Sequence, residues 1–453
     1  MARGLWIKIG TILLIALALL GPLAMIGGKI EDRQVTRAMV VSELAGSSVG
    51  EQTVSGPLLV LPCTDHYVVE EGNSKDGFKK VNRSSDCTRA HVPQTLSVTG
   101  SITTENRHRG IYSARFFTGA FRFEGSFNVP AEAPAAAGVT REWGVPLLLF
   151  SLRDPRGIRN APGLTWNGGV YPFSSGTAPG SQSAGIHSVL PYKAGPFSGA
   201  HSFSFPMEIL GLQSLHFVPS ARQHEVKLTA DWPHPSFSGR HLPATREVGD
   251  KGFEAVWRIS ELASEAPRGL IGCRDPGCRP VEQYAFGVRL LEPVDVYVQA
   301  NRAVKYALLF VLLTFAGFFL FEILRDLRIH PVQYLLVGLA LAMFFLLLIA
   351  LSEHIRFVYA YLIAAAACVG LIAAYLQAVL KSALRALAFG AMLTALYTML
   401  YALLRSEDHS LLLGAALVFG VLAAVMLLTR RIDWYRVGPL TVPSEPANRQ
   451  TSV

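Results

Sequence analysis

The chain has 453 residues, 51% of them hydrophobic and 16% charged, with 41 Lys and Arg against 33 Asp and Glu and a formal net charge of +8. The basic excess does not point to nucleic acid, because much of it sits at the ends of long apolar stretches, where membrane topology demands it. The apolar excess is concentrated in six stretches, and the segment between the first two is rich in Gly, Ser, Pro and Thr, which makes this an integral membrane protein carrying one large aqueous domain.

A bilayer core of about 30 Å needs roughly 20 helical residues, since lipid offers no partner to a backbone amide outside a helix. The first stretch that meets this length covers residues 9–28. Its apolar run is long for a cleaved signal peptide and no clear small-x-small cleavage site follows, so it reads as an uncleaved signal anchor. Residues 35–44 resemble a helix continuing upward from that span, with Gly46-Ser47-Ser48 as its stop.

The aqueous domain reads as strands. From Phe117 to Val129 the odd positions are Phe, Gly, Phe, Phe, Gly, Phe and Val, whereas the even ones are mostly polar: period two, with one face for a core and one for water. Shorter alternations recur at Leu96, Val98 and Ile102; at Phe203, Phe205 and Met207; at Val226, Leu228 and Trp232; at Phe253, Ala255 and Trp257; and at Phe286, Val288 and Leu290. Strands in this number without amphipathic helices between them predict antiparallel sheets packed face to face. Residues 154–200 are dense in Gly and Pro and predict turns or a long connection, dividing the domain into two β-rich lobes at residues 50–153 and 201–298.

Four of the five cysteines, Cys63, Cys87, Cys273 and Cys278, fall in this domain. An oxidising compartment permits bridges, and the near-neighbour pairs Cys63 with Cys87 and Cys273 with Cys278 are the simplest of three connectivities. Cys273-Arg-Asp-Pro-Gly-Cys278 encloses a Pro-Gly turn that brings its sulfurs close. The C-x-x-C spacing of redox proteins is absent, and no paired His completes a standard zinc pattern. His187, His201, His216, His224 and His234 match no ligand pattern, and His216 and His224 read as solvated strand positions. A strand at residues 294–298 leads into the second span.

The remaining apolar stretches cover residues 306–324, 332–352, 357–380, 386–404 and 411–429. Arg3, Lys8, Arg325, Arg328, Lys381, Arg385, Arg430, Arg431 and Arg436 flank the spans on one side, whereas the opposite turns hold only Arg356 and Arg405. This asymmetry puts both termini in the cytoplasm and the β-rich domain outside, in the periplasm of a Gram-negative cell. The partition is an anchor at 1–28, a domain at 29–303, a five-helix bundle at 304–436 and a tail at 437–453. Glu353-His354 in an outward turn is a carboxylate and imidazole beside the membrane, a proton-relay candidate whose plainer role is to cap the turn. Glu322, at the end of a span beside basic residues, is placed to reach water. The centres of the last five spans carry no charge and no proline, which suits an anchor or partner-binding bundle better than a solute path. Gly338, Gly370, Gly390, Gly414 and Gly420 would permit close helix approach.

No G-x-S-x-G, Walker A, H-E-x-x-H or C-x-x-C motif is present, so the sequence assigns no catalytic residue, cofactor or metal ligand. Several stretches together resemble the CreD family of inner-membrane proteins. They are His330-Pro331-Val332-Gln333-Tyr334, Leu351-Ser352-Glu353-His354, Asp231-Trp232-Pro233-His234-Pro235-Ser236-Phe237, Leu411-Leu412-Leu413-Gly414 and Thr429-Arg430-Arg431-Ile432-Asp433-Trp434-Tyr435. The resemblance implies a role in cell envelope integrity, altered tolerance to colicins and control by a two-component system that also governs β-lactam stress responses. It implies no catalytic residue and does not include the outer cysteines. Its most distinctive aqueous element is Trp232-Pro233-His234-Pro235, which suits a rigid corner after a strand as well as a binding loop.

The expectation is therefore a six-span inner-membrane protein with a β-rich periplasmic domain. It is not an enzyme, and it binds or scaffolds a protein, peptidoglycan or lipid component of the envelope, with the bilayer as its other partner. A transporter or lipid-handling protein would need a polar path through the bundle and sensitivity to Glu353 or His354. A periplasmic enzyme would need a pocket of convergent polar groups.

Overall fold

A computed structural model describes residues 2–73, 77–132, 135–177, 184–191, 197–272, 281–292, 296–324, 329–380, 382–406 and 410–430. The chain divides into two compact units, residues 1–37 with 294–453, and residues 38–293.

The helices are α1 Ala2–Ala18, α2 Leu20–Ser47, α3 Ala266–Gly272, α4 Val296–Leu324, α5 Pro331–Ser352, α6 Phe357–Leu380, α7 Ala383–Arg405 and α8 Ser410–Thr429. Five helical stretches among the described residues are long and apolar enough to cross a membrane: Trp6–Ser47, Tyr297–Ile323, Pro331–Ser352, Phe357–Leu380 and Ala383–Arg405. The expected sixth, α8, has an apolar stretch at Leu412–Leu427 that falls short of that length. The separation of α1 from α2 at Leu19 follows from Pro22, which has no N–H for the carbonyl one turn back. Bonds from Leu19 N to Ile15 O and from Leu23 N to Leu19 O carry the helix through. The helix predicted at 35–44 is the end of α2, and Val296–Val298, read from sequence as strand, instead open α4. Three valines in one short run carry no period long enough to separate the two states.

In the first unit Phe310, Phe315, Phe318, Tyr334, Phe344, Phe389, Leu393 and Tyr397 are buried among α4, α5 and α7. Phe318 lies 4.8 Å from the Tyr334 ring and 5.2 Å from Phe389. Of the five membrane glycines, Gly338 is a close-approach site, because a Cβ there would meet Leu19 and Phe315. Gly370 and Gly420 face open space.

The second unit holds the strands. In chain order the first are β1 Gln52–Asn73, β2 Gly77–His91, β3 Thr95–Arg109, β4 Tyr112–Val129, β5 Val139–Trp143 and β6 Leu147–Leu152. Short ones follow: β7 Gly163–Trp166, β8 Gly169–Pro172, β9 Ser174–Ser175 and β10 Ile186–Val189. The rest are β11 Gly199–Leu212, β12 Ser214–Phe217, β13 Gln223–Ala230, β14 Pro235–Gly239, β15 Thr245–Gly249, β16 Gly252–Ser260 and β17 Phe286–Leu290. One sheet runs β14-β17-β12-β1-β6-β10-β9, with β2 and β5 also paired to β1; the other runs β15-β16-β13-β3-β4-β11-β7-β8.

Both sheets are mixed, which corrects the antiparallel expectation: β1 pairs β12 in parallel, and β3 pairs β13 in parallel. These pairings also remove the two lobes. Strands from residues 50–153 and 201–298 share both sheets, joined at β1–β12 in one and at β3–β13 and β4–β11 in the other, and their inner faces share one hydrophobic cluster. Phe123 of β4 stacks on Phe205 of β11 at 4.9 Å and meets Phe150 of β6, in the other sheet, edge-on at 5.0 Å. The Gly- and Pro-rich segment is not a bare connection. It supplies β7 to β10, with Asn167 and Gly168 at φ 48° and 86° turning β7 tightly into β8. Even-numbered Ala114 and Phe116 of β4 are also buried, on the opposite face, where Val41, Leu44 and Ala45 of α2 cover them with Leu210 and Leu212.

Candidate functional site

The Trp232-Pro233-His234-Pro235 element lies where the chain leaves one sheet for the other. β13 ends at Ala230 in the eight-stranded sheet, and the Asp231 carboxylate then accepts the Thr104 amide at 3.0 and 3.2 Å. Pro233 and Pro235 fix φ on either side of His234. Pro235 then opens β14, opposite Leu290 of β17 in the nine-stranded sheet. Trp232 Nε1 donates to the Leu291 carbonyl at 3.0 Å, which ties this corner to the end of β17.

One partner of this corner was not anticipated. The Arg115 guanidinium from β4 lies 3.6 Å from the Trp232 ring centroid, its side chain 10% exposed, with Nη2 3.5 Å from Glu292. Its Nε is buried without a hydrogen-bond partner among the described residues. Burial lowers the Arg115 pKa, opposed by the Glu292 charge, and cation–π contact with Trp232 offsets part of the lost hydration. The signal in sequence was an arginine on the odd, apolar phase of β4. His234 stands edge-on to Trp232 at 5.7 Å and is exposed. The arrangement can hold a corner rigid and present His234 and the ring edge; it brings no acid–base pair together.

The other histidines depart from their expected solvation. His224 is 3% exposed because even-numbered β13 residues face the core, His224 included with Val226 and Leu228. His187 is buried with Nδ1 2.8 Å from Gly176 O. His201 stacks against Phe197 at 4.5 Å and Trp166 at 5.3 Å, and His216 Nε2 lies 3.0 Å from Ser238 Oγ. Burial lowers the pKa of His201 and His216.

Cys63 and Cys87 face each other in the β1–β2 register and are joined as a disulfide, with Cα atoms 4.8 Å apart. Cys273 and Cys278 lie outside the described residues. Cys368 is free and buried. Among the described residues no group of three or more His, Cys, Asp or Glu is placed to hold a metal ion. A cleft of about 650 Å³ in the second unit is lined by Arg240, His241, Glu261, Glu265, Arg268 and Tyr284. There Tyr284 Oη donates to Glu265 at 3.2 Å, and Arg240 sits 5.7 Å from the Tyr284 ring.

In the membrane unit Glu353 and His354 part company. The Glu353 side chain is 8% exposed, 3.2 Å from Arg33 Nε of α2, and accepts from Tyr297 Oη of α4 at 3.4 Å. His354 is exposed. A matching cluster lies at the other end of α4. Glu322 is only 6% exposed, which corrects its expected contact with water. It pairs with Lys8 of α1, accepts from Tyr334 Oη of α5 at 2.9 Å and from Ile329 N at 3.1 Å. Each end thus joins a cation of the α1–α2 stretch, a carboxylate and a tyrosine. The rise from Lys8 to Arg33 is about 37 Å at 1.5 Å per residue, enough to cross a bilayer core. Between the ends, Tyr361 Oη donates to Tyr397 O at 2.6 Å, Tyr397 Oη to Cys368 Sγ at 3.2 Å, and Cys368 Sγ to Ala340 O at 3.4 Å. That chain of polar groups satisfies itself, as a lipid-surrounded interior requires.

A profile described as "Inner membrane protein CreD" matches residues 4–435. The chain is 35% identical to the inner membrane protein CreD of Escherichia coli K12 over 438 residues, covering 96% of this chain and 94% of that one. Two structures of an M1 zinc metallopeptidase from Deinococcus radiodurans align at 9% and 8% identity, each over 44% of this chain and 42% of theirs. With a TM-score of 0.22 for both, that likeness carries no argument. By the extent and identity of its match, the chain belongs to the CreD family of inner membrane proteins.

Proposed function

We propose that this protein maintains envelope integrity by binding or scaffolding an envelope component through residues 38–293, held on the periplasmic side by a six-span bundle whose termini are cytoplasmic. The observation that carries this reading is the filled interior of the bundle: aromatic side chains pack its middle, and Tyr361, Tyr397 and Cys368 pair with one another. Such an interior suits an anchor. The orientation rests on charge. The Lys8–Glu322 end belongs to the arginine-rich side, and the Arg33–Glu353 end to the poor one, from which the sequence enters and leaves residues 38–293. α8, 20 residues long, serves as the sixth span with its apolar side chains toward lipid.

The test is exclusion of an impermeant dye, with detergent sensitivity, in a strain lacking the gene. Wild type and His354→Ala are expected to restore the barrier equally, and a chain without residues 38–293 to fail. A barrier restored by that shortened chain, or lost on His354→Ala at normal protein level, would move function into the membrane and contradict the reading.

A further inference from the structure

The two arginines on the charge-poor side, Arg356 after α5 and Arg405 at the end of α7, come from separate turns yet line one cavity of about 600 Å³. Its apolar wall is Phe357 and Val358 of α6 with Tyr401 and Leu404 of α7. Both arginines are exposed. Glu353, three residues before Arg356, is committed to Arg33 and Tyr297. The remaining wall is Gln299 of α4, whose Oε1 is buried and has no hydrogen-bond partner among the described residues. A buried amide oxygen left in that state is destabilising unless something donates to it.

We infer that this cavity binds an anionic phospholipid with a phosphodiester and free hydroxyls in its headgroup, of the phosphatidylglycerol class. Two guanidinium groups at helix ends sit at headgroup level and fork onto phosphate oxygens. A headgroup hydroxyl donates to Gln299 Oε1 once the amide turns toward the cavity. One acyl chain follows Phe357, Val358 and Leu404 inward, and Tyr401 takes the interfacial position common to tyrosines. Net charge separates this lipid from zwitterionic ones, which bring an ammonium toward both arginines. The inference deepens the scaffold reading by naming a component that the bundle holds, and rests on it only for the choice of leaflet.

The test is native mass spectrometry of the full chain in detergent, titrated with phosphatidylglycerol, phosphatidylethanolamine or phosphatidylcholine. Phosphatidylglycerol is expected to bind at least tenfold tighter than phosphatidylcholine. Arg356→Gln with Arg405→Gln should bring it to the phosphatidylcholine level, whereas Arg385→Gln with Arg430→Gln, on the opposite side, should leave it unchanged. Should the first pair fail to fold, Val358→Trp fills the cavity with the arginines intact and is expected to cost at least tenfold. Equal binding of the lipids, or no loss in either cavity variant, would overturn the inference. Displacement by millimolar inorganic phosphate would do so too, by making this an anion site. Failure here leaves dye exclusion untouched, and lost dye exclusion with lipid binding retained would sink the scaffold reading alone.

Discussion

His224 sits on β13 with its ring edge-on to Phe286 at 5.8 Å and its Nε2 buried without a hydrogen-bond partner among the described residues. Burial alone holds the imidazole at a pKa of about 3, against an ordinary 6.5. In the folded chain it is neutral at any working pH; in the unfolded chain it takes up a proton as pH falls through 6.5. Its contribution is therefore intact above 6.5 and is lost as pH falls from there toward 3. From those two values the loss is nil at pH 8 and about 2 kcal/mol at pH 5. His224→Leu removes the titration and one hydrogen bond, from Ser220 N at 3.3 Å, worth about 1 kcal/mol. The variant should thus be less stable than wild type by about 1 kcal/mol at pH 8 and more stable by a similar amount at pH 5. Urea unfolding of the detergent-solubilised chain, followed by tryptophan fluorescence, measures both. His91, His201, His216 and His241 also have lowered pKa values and are present in both proteins, so the difference isolates His224. Parallel stability curves for the two proteins from pH 8 to pH 5 would refute the argument.

Glu353→Ala removes the carboxylate that Arg33 Nε and Tyr297 Oη share at one end of the bundle, and a cost of about 2–3 kcal/mol is expected in thermal unfolding of the full chain. Arg33 is half exposed, so the coupling in a double-mutant cycle with Arg33→Ala should be smaller, about 1 kcal/mol. Trp232→Ala strips the ring from the Arg115 guanidinium and the donor from Leu291 O, and should lower the unfolding free energy measured in urea by about 2–3 kcal/mol, most of it recovered by Trp232→Phe. Cys63→Ser with Cys87→Ser opens a cross-strand link closing about 24 residues; the chain-entropy estimate is about 3 kcal/mol, and reductant should destabilise wild type by that much more than the variant.

The spans and the long strand were legible because their periods run far enough to separate helix from sheet: 13 residues of alternation from Phe117 to Val129 leave no other reading. The parallel pairings were not, because nothing in β3 or β13 records which neighbour it takes across more than a hundred residues of chain. Asn167-Gly168 was a turn signal hidden by the surrounding glycines. His224 was misjudged for its chemical type although its even number put it in phase with Val226 and Leu228. The Trp232 corner was recognised, yet its partner Arg115 came from a distant strand. Glu353 and His354 look like a pair in sequence, but the end of α5 turns one inward and the other out. The ion pairs of Lys8 and Arg33 depend on helix packing that no local pattern encodes.

The proposal turns on residues 38–293 lying outside the inner membrane while Arg430, at the end of α8, lies in the cytoplasm. Leu262 is 93% exposed, and a Leu262→Cys chain, with the other cysteines replaced by serine, can be treated with a membrane-impermeant maleimide in cells whose outer membrane alone has been opened. Full labelling is expected at residue 262 and none for Arg430→Cys in the same background until the inner membrane is breached. Labelling at residue 430 with protection at residue 262 would invert the topology and contradict the proposal.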